Sequence, residues 1–358
     1  MGYWKSNSPL IWTDFAPEIF GANRFHIVDG GAAGLLFEPF DAVSDICSVY
    51  TFEPRGSETI EYRAKVNIDA GLWSEPDRRS LHVAEGAKAS SIYPPNMPYL
   101  ERFPARFGLA KRRTVSMVEV PLTSIDAEVE KGIIPKPNFV KLDIHSAEYE
   151  ALLGCLNSLD DCLGLLVETW YAPIHAGQHL NGEVEALLQS RGFQLYDSQQ
   201  TSVWPHALDS EKPLPGERCQ LVGAESLFLR DTPPPHLWAQ YVALLELFGY
   251  ATLAVHICDQ MLSGVMVHDA SDGNLEALRE ALLKNREARA TQAREDRQKA
   301  KQERLESVYK DRRTAKQAHL EAVYRERRAA KEARQKAKRS VLGVSLREGL
   351  KNRSEDSE

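Results

Sequence analysis

Arg24-Phe25-His26-Ile27-Val28-Asp29-Gly30-Gly31-Ala32-Ala33-Gly34 is the stretch on which the reading of this chain turns. A short apolar run halted by glycines has the pattern of a central strand of a parallel sheet entering a tight turn. Working outward, residues 47–52 form a second such run, which ends in Glu53-Pro54. Residues 61–68 alternate and close near Asp69, and residues 139–143 and 163–168 are two further runs. Residues 147–156 and 183–190 carry apolar side chains at helical spacing, and Arg191-Gly192 supplies a stop signal after the second. Residues 193–196 and 225–229 read as late strands. This alternation from about 24 to 230 predicts a doubly wound α/β domain with a mostly parallel sheet.

The glycine turn also suggests chemistry. Gly30, Gly31 and Gly34 lack Cβ atoms, so a ligand could approach the backbone there. A dinucleotide fingerprint wants G-x-G-x-x-G; Gly31 and Gly34 fit its second and third positions, but Asp29 stands at the first. A carboxylate there repels a pyrophosphate. It suits an amino group or a sulfonium, and S-adenosylmethionine (SAM) has both. Glu53 ends the next strand, where an acid can accept hydrogen bonds from ribose hydroxyls. The plainer alternative is that Asp29 caps a helix and Glu53 is solvated.

Seven ordered blocks then carry a resemblance: VDGGAAG, YTFEP, SSIYPPN (90–96), VPLTSIDAEV (120–129), FVKLDIHSAEYEALLGC (139–155), VETWYAPIHAGQ (167–178) and SRGFQLYD (190–197). Together they resemble the FkbM methyltransferases over about residues 24–230. The resemblance implies a Rossmann-like SAM-dependent methyltransferase fold with a seven-stranded sheet, and mostly O-methyl transfer. It places Asp29, Gly31, Ala32, Gly34 and Glu53 on SAM-binding positions and Asp143 and Glu148 on a K-x-D-x-x-x-x-E block. The chain departs from the family at His145-Ser146, where Glu or Gln followed by Gly is common, and its glycine loop is the shorter form. The family pattern therefore does not assign a base here.

Methyl transfer needs acceptor oxygen, methyl and sulfur in line, and such positioning can supply ~7–11 kcal/mol. Proton removal from a hydroxyl adds roughly 10²–10⁴ in rate. Asp143 and His145 are the first candidates to orient or deprotonate an acceptor, with Glu168 next and Tyr171 beyond it. The structural alternatives are a histidine at a helix start and a Glu168–Lys141 pair. These residue types also suit a divalent cation, which the sequence does not require. His175 and His179 have zinc-like i,i+4 spacing, but Gly177 argues for a loop. Tyr93-Pro94-Pro95-Asn96 lies before a strand rather than at its end, which speaks against a nucleobase amino-methyltransferase site.

The chain has 358 residues, 43% hydrophobic and 27% charged, which excludes a wholly disordered or disulfide-stapled protein. Five scattered cysteines without a C-x-x-C suggest a reducing, cytoplasmic setting. No secretory leader is recognised, and the most apolar stretch, 242–262, is broken by Glu246, Gly249, His256 and Asp259, so no membrane span is expected. Charge is divided: residues 1–283 carry a net −17 and residues 284–340 a net +11. The expected organisation is an N-terminal arm (1–23), a methyltransferase domain (24–232), a helical appendage (233–283) that follows Thr232-Pro233-Pro234-Pro235, a basic repeat helix (284–340) and a flexible tail (341–358). The repeat is fifteen residues long and occurs three times, at 289–303, 304–318 and 319–333. As one helix it would span about 68 Å. Glu295/Lys299, Glu306/Lys310, Glu321/Arg325 and Glu332/Lys336 are spaced to pair along it. Its sparse Leu, Val and Tyr positions suit a solvated helix or, as a seam, a right-handed coiled coil.

The expected function is a SAM-dependent O-methyltransferase acting on a small-molecule or carbohydrate hydroxyl. The alternatives are a scaffold whose basic helix self-associates or docks an acidic partner, and an RNA methyltransferase. Nucleic acid is disfavoured by the acidic body.

Overall fold

The computed structural model describes residues 24–56, 58, 60–206, 216, 218–266 and 272–354, together with Trp4, Ile11, Trp12 and Ile19. Side chains of the last helix are described from residue 273 to 335. Most of the expected N-terminal arm lies outside the described residues.

The strands are β1 (Phe25–Gly30), β2 (Cys47–Phe52), β3 (Val66–Ile68), β4 (Gly71–Leu72), β5 (Asp77–Ala84), β6 (Thr114–Thr123), β7 (Phe139–Leu142), β8 (Gly164–Trp170), β9 (Phe193–Trp204) and β10 (Gln220–Arg230). The helices are α1 (Met97–Leu100), α2 (Leu109–Arg112), α3 (Ile125–Glu130), α4 (Glu148–Leu153), α5 (Asn181–Gln189), α6 (Trp238–Leu247), α7 (Ala251–Leu262) and α8 (Asp272–Ser354). Seven strands form one sheet in the order β3-β2-β1-β7-β8-β10-β9. Strands β3 through β8 in that order run parallel, while β10 is antiparallel to both β8 and β9. The doubly wound, mostly parallel sheet expected from the sequence is thus present. Its strand order reverses at β1/β7, where open α/β sheets bind ligands at their carboxyl ends.

The apolar runs are continuous because both faces of this sheet are covered. In β1, Ile27 joins a core with Phe139, Leu166, Leu227 and the helices after residue 237, while Val28 turns to the other core with Leu142, Val167, Ala151 and Leu188. The α6–α7 hairpin therefore closes one sheet face, with Trp238, Tyr241, Leu244 and Leu245 buried in it. Leu275, Leu278 and Leu282 add the first turns of α8 to the same core. Glu246, which interrupts the apolar stretch in the sequence, is buried but satisfied. Its carboxylate accepts from the Ile11 backbone N–H and from Asn285 Nδ2, both at 2.8 Å.

Several elements differ from the sequence reading. No α-helix connects β1 to β2; a 3-10 turn, Phe40–Val43, replaces it. Phe40 packs on Phe25 and Phe139 at centroid distances of 5.9 and 4.9 Å. Strand β3 begins only at Val66, and β9 and β10 are longer than expected. A three-stranded sheet, β4-β6-β5, was not anticipated at all.

Residues 1–286 make one compact unit and 287–358 a second, and α8 runs across both expected boundaries, at 284 and 341. In the second unit Arg325 pairs with Glu321 at 3.7 Å and Arg328 with Glu332 at 3.1 Å. Of the expected pairs only Glu321/Arg325 is formed among the described side chains, and Lys336 lies beyond them. No described helix is long and apolar enough to cross a membrane. The five cysteines are unpaired, four of them buried.

Candidate functional site

A cavity of about 400 Å³ opens at the carboxyl edge of the large sheet, within the ~300–1,000 Å³ of small-molecule sites. Gly31 follows β1, Glu53 follows β2, Asp143 and His145 follow β7, and Glu168 lies on β8; all five line it. Phe52 of the large sheet and Leu72, Leu81 and Leu122 of the small one supply the apolar wall, so both sheets line the cavity. Arg55, Lys88, Ser90 and Thr201 also line it.

Glu53 is 4% exposed, and its Oε1 accepts from the backbone N–H and the Nε of Arg55, both at 3.0 Å. Asp29 does not line the cavity. It is 2% exposed and is held by Lys141 Nζ at 3.2 Å and the Tyr62 hydroxyl at 2.5 Å. The cause is register: Asp29 on β1 lies beside Lys141 on β7, so their side chains project together. The carboxylate expected from Asp29 is presented by Asp143 instead, whose side chain is 42% exposed.

The glycines also act differently from the sequence reading. Gly31 has φ +76°, and a Cβ there would lie 2.0 Å from the Asp143 carbonyl oxygen. Its missing Cβ makes room for the β7 loop, and Gly31 itself lines the cavity. Gly34, at φ +95°, has open space where its Cβ would be and bridges Ile60, away from the cavity lining. Ala32 is buried and does not line the cavity, whereas Ala33 does.

Asp143, His145 and Glu168 converge, with potential ligand atoms all within 4.8 Å of one another. His145 Nδ1 lies 3.1 Å from Glu168 Oε2, and Lys141 Nζ lies 3.6 Å from Asp143 Oδ2. Non-glycine residues rarely take φ above zero, yet His145 and Ser146 sit at 54° and 86°. This strained turn is pinned from several sides. Ser91 Oγ donates to the His145 carbonyl at 2.6 Å. The N–H groups of Ile144 and Ser146 donate to Glu148 Oε1 at 3.0 and 3.2 Å. Ser146 Oγ meets His175 Nδ1 at 2.7 Å. Glu148, Ser91 and His175 are therefore the supports of the turn. The family block pointed to Glu148, but nothing local in the sequence marks Ser91 or His175 as its partners.

Burial pulls the His145 pKa down, but Glu168 and then Asp143 outweigh it, and the imidazole rises to about 9. Burial would raise Asp143; Lys141 and His145 hold it below the usual carboxylate range. Burial raises Glu168, with His145 opposing, and raises Glu148, with Glu168 adding to the effect. His175 is lowered to about 3, chiefly by burial, and stays neutral. The trio has the donor types of a cation site. These donors are engaged with one another and with Lys141, His145 beside Glu168 and Asp143 beside Lys141, and no step is assigned to a metal.

His175 and His179 do not converge. His179 stacks on Tyr149 at 3.9 Å and pairs with Glu183 at 2.8 Å. Tyr171 lies beyond β8 and is absent from the cavity lining.

Residues 19–195 match the model of the Methyltransferase FkbM domain. Over 70 residues the chain is 39% identical to the hexuronic acid methyltransferase AglP of Haloferax volcanii, a segment that is 20% of this chain and 27% of that relative. A crystal structure of a methyltransferase FkbM from Methylobacillus flagellatus KT aligns with a TM-score of 0.28 at 13% identity, covering 62% of this chain and 50% of that one. A second solved structure, Sp1610 of Streptococcus pneumoniae, aligns with a TM-score of 0.24 at 8% identity, over 76% of this chain and 96% of its own. The domain match, together with the doubly wound sheet that holds a cavity at its carboxyl edge, shows that residues 19–195 of this chain are a domain of the FkbM methyltransferase family.

Proposed function

We propose that the chain is a SAM-dependent O-methyltransferase acting on a sugar-type hydroxyl. The observation that carries this reading is a single cavity flanked by Glu53 on one side and by Asp143, His145 and Glu168 on the other. The donor set fits the cofactor: an acid ends β2, where ribose hydroxyls are held in nucleoside-binding α/β domains, and Asp143 offers a carboxylate to a cationic centre. SAM, when bound, supplies a methyl already activated on its sulfonium.

The chain's own residues account for the rest. Glu53 accepts hydrogen bonds from the ribose hydroxyls. Asp143, kept ionised by Lys141 and His145, fixes the cationic end electrostatically. Glu168 accepts the hydroxyl proton, its raised pKa being better matched to that task than an ordinary carboxylate. His145, an imidazolium at neutral pH, stabilises negative charge building on the acceptor oxygen rather than serving as the base. At the rim, Lys88 is exposed and has no carboxylate within ion-pair distance among the described residues. It suits the carboxylate of an acidic sugar, the acceptor class named for the Haloferax volcanii relative.

Titration calorimetry with SAM and S-adenosylhomocysteine tests the cofactor. Both should bind, and Glu53→Ala should weaken binding at least tenfold while leaving the fold intact. Absence of heat from either ligand with folded protein would end the proposal. Methyl transfer from labelled SAM into hexuronic-acid glycans, set against neutral glycans, tests the acceptor.

A further inference from the structure

The repeat helix sorts its charges. At about 100° per residue, repeat positions 1, 2, 5, 6, 9, 12 and 13 fall on one arc of roughly 140°. Arg289 opens this arc at position 1, and across residues 290–331 it holds Arg294, Arg297, Lys301, Arg304, Arg312, Lys316, Arg327 and Lys331, with His319 and no acidic residue. Interleaved with them are Leu305, Val308, Tyr309, Leu320, Val323 and Tyr324, with alanines at 290, 293, 300, 315 and 330. All eight carboxylates between 289 and 333 lie on the remaining surface. So do both ion pairs that form there, Glu321–Arg325 and Arg328–Glu332. Among the described residues, none of the eight cations that the first face holds across 290–331 is within ion-pair distance of a carboxylate. Apart from the half-buried Val323, its apolar side chains are open to solvent: Leu305 is 51% exposed and Tyr309 70%.

We propose that this face binds an acidic amphipathic helix of another protein, forming a heterotypic coiled coil. Charge complementarity selects the occupant. A second copy would bring eight unpaired cations against eight more, an arrangement that like-charge repulsion disfavours. A phosphate backbone would take the cations but has no use for the Leu and Val positions, which sit at fixed places in each of the last two repeats. A lipid surface would need a continuous apolar strip, and the first repeat offers only alanine there. Alanine does allow close approach of a second helix. The period, about 3.75 residues per turn, winds the face slowly around the axis and asks for a partner in a right-handed supercoil.

The test uses the full chain and a synthetic three-repeat peptide with Leu and Val at the same fifteen-residue spacing and Glu facing each cation. A peptide of identical composition but scrambled order is the control for charge alone. Anisotropy should show the patterned peptide binding at least tenfold more tightly than the scrambled one. The double variant Leu305→Ala, Leu320→Ala should lose at least tenfold for the patterned peptide while its affinity for poly(U) RNA is unchanged. Lys310→Glu, on the opposite face, should bind the patterned peptide as the parent does. Equal binding of the two peptides, tighter binding to poly(U) or to phosphatidylserine vesicles, or sedimentation showing a dimer abolished by the double variant would overturn the proposal.

Discussion

His145 is the residue on which the chemistry divides. Its imidazole is held above the ordinary histidine value by Glu168 and Asp143, so a base role and an electrostatic role predict opposite alkaline limbs. If the imidazolium stabilises the reacting oxygen, methyl transfer falls as pH rises through about 9. If the neutral imidazole were the base, it would climb over the same range. The falling limb is expected, and initial rates between pH 7 and 10 decide it. His145→Gln should cost roughly 10²-fold in kcat, the scale of one lost charge-stabilising donor. Stability follows the same proton. A folded pKa of about 9, above the unfolded value of about 6.5, gives a contribution fully present below about 6.5. It is lost as pH rises through about 9. His175 works in the opposite sense, destabilising the fold as pH drops from about 6.5 toward about 3. Between the two stands Ser146, strained at φ 86° yet bonded to His175. Ser146→Gly removes the strain and the hydroxyl together. The expected change in stability is within about 1 kcal/mol, whereas the His145 titration followed by NMR should broaden or shift as the turn loosens.

Among the elements, the strands buried on both faces were legible and those with an open face were not. The runs at 25–30, 47–52 and 164–170 are buried along nearly their whole length, so their apolar content alone marks them. Strand β6 exposes most of its first half, and β5 begins with Asp77-Arg78-Arg79. Their pairing joins residues far apart in the chain, which no local pattern reports. The candidate site divides in the same way. Glu53, Asp143, His145 and Glu168 were legible because each stands at or near the end of a marked strand. The withdrawal of Asp29 was not, because it depends on which strand lies next to β1. That adjacency has a measurable consequence. Lys141→Met would leave Asp29 buried and without its ammonium partner, and stranding one member of a buried pair costs ~3–5 kcal/mol. Denaturant midpoints should show this loss, and Asp29→Asn in the Lys141→Met background should recover a large part of it. If Lys141→Met is as stable as the parent, the pair does not hold β1 to β7.

On the scale of the whole molecule, one continuous helix serves two purposes, and the composition shows why it changes role partway along. Up to Leu282 it presents leucines at 275, 278 and 282 to the core of the large sheet; beyond Arg286 nearly every described side chain is exposed. A helix polar all round is supported by its own i,i+4 pairs and by whatever it binds rather than by a core. Two truncations separate these roles. A chain ending at Arg286 keeps all three leucines and should melt within a few degrees of the full-length protein, with SAM affinity unchanged. A chain ending at residue 271 uncovers them and leaves a gap over Trp238, Tyr241 and Leu245, which share that core. Each buried leucine is worth roughly 1.5–3 kcal/mol, so the loss approaches the whole stability of a typical domain, about 5–15 kcal/mol. Calorimetry of the two should therefore differ sharply, with no cooperative transition or a strongly lowered one for the shorter chain. Equal melting of both would mean that the α6–α7 hairpin covers the sheet unaided and that the first turns of α8 are dispensable to it.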